Sequence, residues 1–300
     1  MQINMIRSDK VYQEMLELPL EKREGCFRAK ILAPFATKYQ TQHIPLKAKY
    51  PGGFDVLFLL GFMNQLPSTL SEKDRPAIDA LSSDQLWQNC QDTIKRSIGL
   101  FEQAGYDLEV EDYHFTILLG NPEKPMLQLN KGYSGDGGIP GYLMLSLLPN
   151  DYTLPRVQAA LAHECNHNVR FQFVKWNQQT TLADWVVSEG LAESFAAELY
   201  GKDLIGPWVT STSPEQLEEI KPIISSQLQL TGMAEMAPYL YGDEIAKIQG
   251  QIPVGMPYAA GYAYGYHLIQ AYLKKTGKSI IEATVTPTEE ILEATKDFWK

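Results

Sequence analysis

The chain is short of several things, and each shortage excludes something. Cysteine is scarce: Cys26, Cys90 and Cys165 are the three in 300 residues. An odd set without regular spacing does not make a disulfide framework. Basic residues are in deficit, 26 against 36 acidic ones, for a formal net charge of -10. No positive face is built that would offset phosphate charge, so neither nucleic acid nor an anionic membrane is an expected partner. Long apolar runs are missing; a stretch such as Phe54 to Met63 falls well below the ~20 residues a bilayer-spanning helix needs. Met1 to Lys10 lacks a basic start followed by an apolar core, so no signal peptide is expected there. No repeat period or low-complexity tract stands out. A reducing cytoplasm is the setting these shortages imply.

What remains is ordinary globular composition, 44% hydrophobic and 21% charged, enough for one large domain or two. The expected class is α+β: mostly helical, with a small mixed sheet packed on an active-site helix. Residues 1–105 read as a helical N-terminal region. Apolar residues at helical spacing run from Val11 to Tyr39, interrupted by Pro19 and Pro34. Phe54 to Met63 is a buried helix or a strand; periodicity does not decide. Ser83-Asp84 caps a helix through Trp87, Ile94 and Phe101 that ends near Gly105. This third of the chain carries no chemistry, and His43 reads as an exposed loop histidine.

Residues 106–300 change character and form the second expected domain. His114 to Leu119 is a strand by its β-branched and aromatic content, and Met126 to Leu129 is a second. Tyr133 to Gly138 is glycine-rich and reads as a loop. Gly141 to Leu148 is a further strand, placed at a sheet edge because glycine and proline precede it.

Histidine is scarce too, five in all, and two of the five lie four apart in Leu161-Ala162-His163-Glu164-Cys165-Asn166-His167. On a helix opening at Thr153-Leu154-Pro155, His163 and His167 share a face one turn apart and can hold one metal ion, with Glu164 beside them. Cys165 points away from that face and reads as a small buried apolar residue. The next helix is Leu182 to Tyr200, stopped by Gly201. Its apolar stripe of Leu182, Trp185, Val186, Ala192, Phe195 and Leu199 contains Glu189 and Glu193. Carboxylates on an apolar stripe are costly unless something positive compensates them.

Zinc with three protein ligands and one open position fits this set. His163, His167 and Glu189 supply the three ligands, and residues 168–188 leave room for a helix end, a loop and a return. Glu193, one turn beyond Glu189, can fix a ligand histidine's tautomer from behind. Glu164 is left as the general base that takes a proton from the zinc-bound water and passes it to the leaving amine. An oxyanion donor is expected from the tyrosine- and glycine-rich stretch Met256 to His267, read as the opening of a helix. Tyr262 is preferred there, with Tyr258 next and His267 third. Gly261 and Gly265 let that helix approach another backbone closely.

His163 to His167 followed by Ser188-Glu189-Gly190-Leu191-Ala192-Glu193 resembles the gluzincin class of zinc metallopeptidases. With Gly261-Tyr262-x-x-Gly265-Tyr266 and Ala271-Tyr272-Leu273-x-x-Thr276-Gly277-Lys278-Ser279, the set more closely resembles the DUF2268 (YjaZ-like) family of predicted zinc-dependent proteases. The resemblance spans about residues 107–298. It implies a zincin-like fold, bound Zn2+, a peptide or protein substrate and the ligand set already named. Two other expectations stay open: a non-catalytic zinc-binding regulatory or adaptor protein, and a zinc hydrolase of a non-peptide amide or ester.

Overall fold

The computed structural model describes residues 1–299 and is α+β: many helices and one small mixed sheet. The chain divides into two compact units. One comprises Met1–Lys95 and Val110–Leu161; the other comprises Arg96–Glu109 and Ala162–Lys300. Both are discontinuous in sequence, whereas the change of character near Tyr106 suggests a single cut.

In the first unit the sheet has four strands: β1 (Gln2–Met5), β2 (Asp112–Leu119), β3 (Tyr133–Ile139) and β4 (Tyr142–Leu147). Their order is β1-β2-β4-β3, with β1 and β4 parallel to β2 and β3 antiparallel to β4. Two expectations are corrected here. The strand at Tyr142–Leu147 is interior rather than an edge, and the glycine-rich Tyr133–Ile139, read as a loop, is one of the two edge strands, with β1 the other. β4 buries Leu143 to Leu147 in an unbroken run, the mark of a strand covered on both faces, whereas β3 buries only Tyr133 and Gly137. Met126 to Leu129 is also not a strand; Pro125–Leu129 is a single helical turn opened by its proline.

β1 escapes the sequence because four residues carry too little pattern. It pairs Gln2 with Asp112, and helix α1 (Ser8–Glu17) follows immediately. That helix is bound to β2 through the Tyr12 hydroxyl, which accepts from the Leu119 N–H at 3.1 Å, and through the Ser8 hydroxyl, which donates to the Ile117 carbonyl. Pro19 separates α1 from helix α2 (Leu20–Phe27). The ambiguous apolar stretch is resolved by Asp55. Its side chain accepts from the Leu57 and Phe58 N–H groups and caps the helical turn Val56–Leu60. Helix α3 (Asp84–Gln103) follows as expected, and His43 is exposed.

The second unit holds the paired helices from Ala162 onward. Helix α4 (Val157–Phe173) starts after a 3-10 turn, Leu154–Arg156. The Thr153 hydroxyl does not cap it; it donates to the Leu148 carbonyl instead. Helix α5 (Leu182–Tyr200) has the expected bounds. At its start Thr181 and Asp184 form a reciprocal capping box, and at its end Gly201 takes φ +97°. Helix α6 (Pro214–Ser226) and helix α7 (Met233–Tyr241) lead to helix α8 (Ala260–Thr276). α8 opens four residues later than Met256, because Ala259 takes a left-handed conformation, φ +54°, at its N-cap. Tyr258 therefore lies before the helix. Helix α9 (Ile280–Val285), helix α10 (Thr288–Ala294) and a last helical turn, Lys296–Trp299, close the chain's described part.

Candidate metal centre

α4 and α5 bring three donor atoms to one point. The Nε2 atoms of His163 and His167 lie 3.1 Å apart, and Glu189 Oε2 is 3.2 Å from each. Two histidines four apart share a helix face, and Glu189 lies in Trp185–Ala196, a run of α5 that is buried on every face and not only along the expected apolar stripe. All three residues are buried. The edge of a tetrahedron with ligands about 2.0 Å from its centre is about 3.3 Å, so the triangle has nearly the size a zinc ion requires. Two imidazole nitrogens 3.1 Å apart either share a proton, one donating to the other, or turn both lone pairs on a common cation.

Behind His163 stands Glu193. Its Oε2 receives His163 Nδ1 at 2.9 Å and the Trp208 indole N–H at 2.7 Å, and its Oε1 receives the Gly206 N–H at 2.6 Å. A carboxylate facing Nδ1 puts the proton on that nitrogen and leaves the Nε2 lone pair directed at the cluster. Trp208 and Gly206 are site residues the sequence reading missed. Their only trace is the Gly206-Pro207-Trp208 turn, in which a Cβ on Gly206 would collide with the Trp208 ring. His167 is oriented differently. Its Nδ1 has no hydrogen-bond partner among the described residues, and its ring stacks on Phe171 at 5.7 Å and 5°.

The charges are coupled. Burial by itself would raise the Glu189 pKa, but the two histidine rings outweigh it and hold the carboxyl down at about 2 in the metal-free chain. Burial likewise opposes a charged His163, yet hydrogen bonds to Glu189 and Glu193, with the charge of Glu164, hold its pKa well above 6.5. Glu164 is buried on α4 next to His163, so three carboxylates gather around two imidazoles. Such a donor set calls for a cation.

Tyr262 is brought to the same place. Burial pushes its phenol well above the usual pKa, and Glu189, Tyr241, Glu164 and Tyr258 add to the rise. It thus senses both Glu189 and Glu164. Tyr258 is its neighbour. Burial and then Lys221 lower the pKa of His267, and its ring lies against Tyr266. Cys165 is buried, in keeping with a packing role. Aromatic contacts of 4.8 to 6.2 Å run from His167 through Phe171, Trp176, Trp185, Tyr241, Tyr262 and Trp208 to His163, and the two histidines close the circuit. Aromatic walls keep the local dielectric low, which strengthens every charge interaction inside.

The family model described as predicted Zn-dependent protease (DUF2268) matches residues 86–293. The chain is 34% identical over 293 residues to the uncharacterized protein YjfC of Bacillus subtilis (strain 168), covering 97% of each. It is 27% identical over 155 residues to the uncharacterized protein YjaZ of the same organism, covering 50% of this chain and 55% of that one. No solved structure matches it. Among the described residues no helix is long and apolar enough to cross a membrane. The match across most of the chain and the near-full-length relative carry one conclusion: this chain belongs to the DUF2268 family of predicted zinc-dependent proteases.

Proposed function

We propose that the chain is a zinc metallopeptidase that hydrolyses peptide bonds in the cytoplasm. The observation that carries the reading is the buried triangle of His163 Nε2, His167 Nε2 and Glu189 Oε2 with Glu164 beside it. Those three residues would hold the ion. Zinc, when bound, supplies a Lewis acid that polarises a carbonyl and lowers the pKa of water to about 7.

The chain's own residues supply the rest. Glu164 takes the proton of the attacking water and delivers it to the leaving amine nitrogen, as a general base and then a general acid. Tyr262, protonated across the neutral range, donates a hydrogen bond to the substrate oxygen as that oxygen gains charge. Glu193 holds the proton on His163 Nδ1, and the Trp208 and Gly206 donors hold Glu193. A structural zinc site has no use for Glu164, which sets this reading above a non-catalytic one.

One observation favours a second reading. Glu164 and Glu189 are each only 7% exposed, which suits a narrow entrance and a small amide or ester. Metal analysis of the purified chain with a peptide-library digest and a panel of small esters, each with and without a chelator, tests both. Peptide cleavage abolished by the chelator supports the first reading; chelator-sensitive ester cleavage with no peptide cleavage supports the second. A chain that takes up no metal sinks both.

A further inference from the structure

Arg170 lies three residues after His167 on α4 and is fully buried, the bulkiest side chain of which this is true among the described residues. Among the described residues its guanidinium makes four hydrogen bonds, none to a carboxylate. Nε donates to Ser188 Oγ at 3.0 Å. Nη1 donates to the carbonyls of Thr284 at 2.8 Å and Thr286 at 3.1 Å, and Nη2 donates to Thr288 Oγ1 at 3.0 Å. Burial lowers its pKa to about 10, against the opposing pull of Asp184 and Glu289. It therefore stays charged at neutral pH, and a buried charge without a bonded counter-ion is a destabilising choice for a core. Packing alone would be better served by methionine. What methionine cannot do is fork across three segments.

Those segments are bonded to residues beside the metal ligands. Ser188 is the residue before Glu189, and its hydroxyl is fixed in turn on the Asp184 carbonyl at 2.7 Å. On α4, Asn166, the residue before His167, donates to Thr284 Oγ1 at 2.7 Å, so the Thr284–Thr288 stretch is bonded on both sides of His167. We infer that Arg170 is a positioning residue: through Ser188 it locks the rotation of α5 against α4 and so sets the separation of Glu189 from His167. The magnitudes make this matter. Rotating a helix by about 10° moves a side-chain tip about 6 Å from its axis by about 1 Å. Metal–ligand distances tolerate only about ±0.2 Å.

The inference rests on the metal-binding part of the proposed function, and its test reads metal rather than turnover. Ser188→Ala removes the one bond that reaches α5. Thr288→Val removes a bond of the same guanidinium that does not reach α5, and so matches it for the cost of an unpaired donor. Zinc affinity, measured by competition with a chromophoric chelator, is expected to fall about 10- to 100-fold in Ser188→Ala. The visible spectrum of the cobalt(II)-loaded variant is expected to shift as well. Thr288→Val is expected to lose thermal stability while keeping the parent's zinc affinity and cobalt spectrum. Equal zinc affinity and an unchanged spectrum in Ser188→Ala overturn this inference alone, as does an equal loss of affinity in both variants. A parent chain that binds neither metal overturns this inference together with the functional reading.

Discussion

Gly190 and Gly265 meet backbone against backbone. A Cβ on Gly190 would run into the Gly265 carbonyl, and one on Gly265 into the Val186 carbonyl. Here α5 and α8 cross, one residue from Glu189 and three from Tyr262, so a contact between two glycines places a ligand and a candidate donor together. Gly190→Ala would gain up to about 1 kcal/mol of helix propensity. Neither carbonyl can yield, and overpacking costs about 1–3 kcal/mol or more, so the net effect is a loss. Thermal unfolding should show a lower Tm. Gly25→Ala is the contrast: Gly25 lies within α2 with nothing within 4 Å of its added Cβ, and should gain about 0.5–1 kcal/mol. Equal Tm changes in the two variants would contradict the crossing.

Glu164→Gln should separate metal binding from chemistry. The substitution keeps the side chain's size and removes its capacity to accept and return a proton. Hydrolysis should fall about 10²- to 10⁴-fold with zinc content unchanged. Retained turnover at parental zinc content would remove Glu164 from the mechanism.

Tyr262→Phe should act on the transition state and not on the ground state. Removing one preorganised donor to a developing oxyanion costs about 10²- to 10³-fold in kcat. KM and zinc content should stay near the parent's. A rise in KM at unchanged kcat would make Tyr262 a binding residue. A parental profile would pass the donor role to Tyr258.

Binding of zinc should release a proton. In the metal-free chain His163 keeps its proton well above pH 6.5, and Glu189 keeps its charge down to about pH 2. The raised histidine contributes stability that is full below about pH 6.5 and fades as pH climbs through its folded value. The depressed carboxylate contributes stability that is full above about pH 4.5 and fades on descent toward 2. Chelator-treated protein should therefore melt highest between these limits. Because the ion displaces the His163 proton, zinc affinity should rise with pH across neutrality. Calorimetry in two buffers of different ionisation heat measures the release; an affinity flat from pH 6 to 8 would count against it.

The aromatic and polar shell behind the histidines was only partly legible beforehand. Trp208 and Gly206 reach Glu193 from a short turn with no periodicity to betray it, and Arg170 reads in sequence as one more polar residue on a helix. Nothing local distinguishes a buried arginine from an exposed one. Its four partners lie 18 to 118 positions away.

What the sequence determined by itself is whatever depends on residues within about one helical turn of one another. The His163–His167 face, the i, i+4 spacing of Glu189 and Glu193, and the Gly201 stop of α5 all repeat or terminate on that scale, so each is written locally. The tertiary structure alone decided the rest. It drew Gln2–Met5 into the sheet across more than a hundred residues and made Tyr142–Leu147 an interior strand by placing β2 and β3 on its two sides. It closed Glu193 with Trp208 and set Arg170 between two helices and the Thr284–Thr288 stretch. Pairing order and burial are properties of contacts between distant segments. A strand's neighbours and a buried charge's partners are therefore settled when the chain collapses, not by the residues beside them.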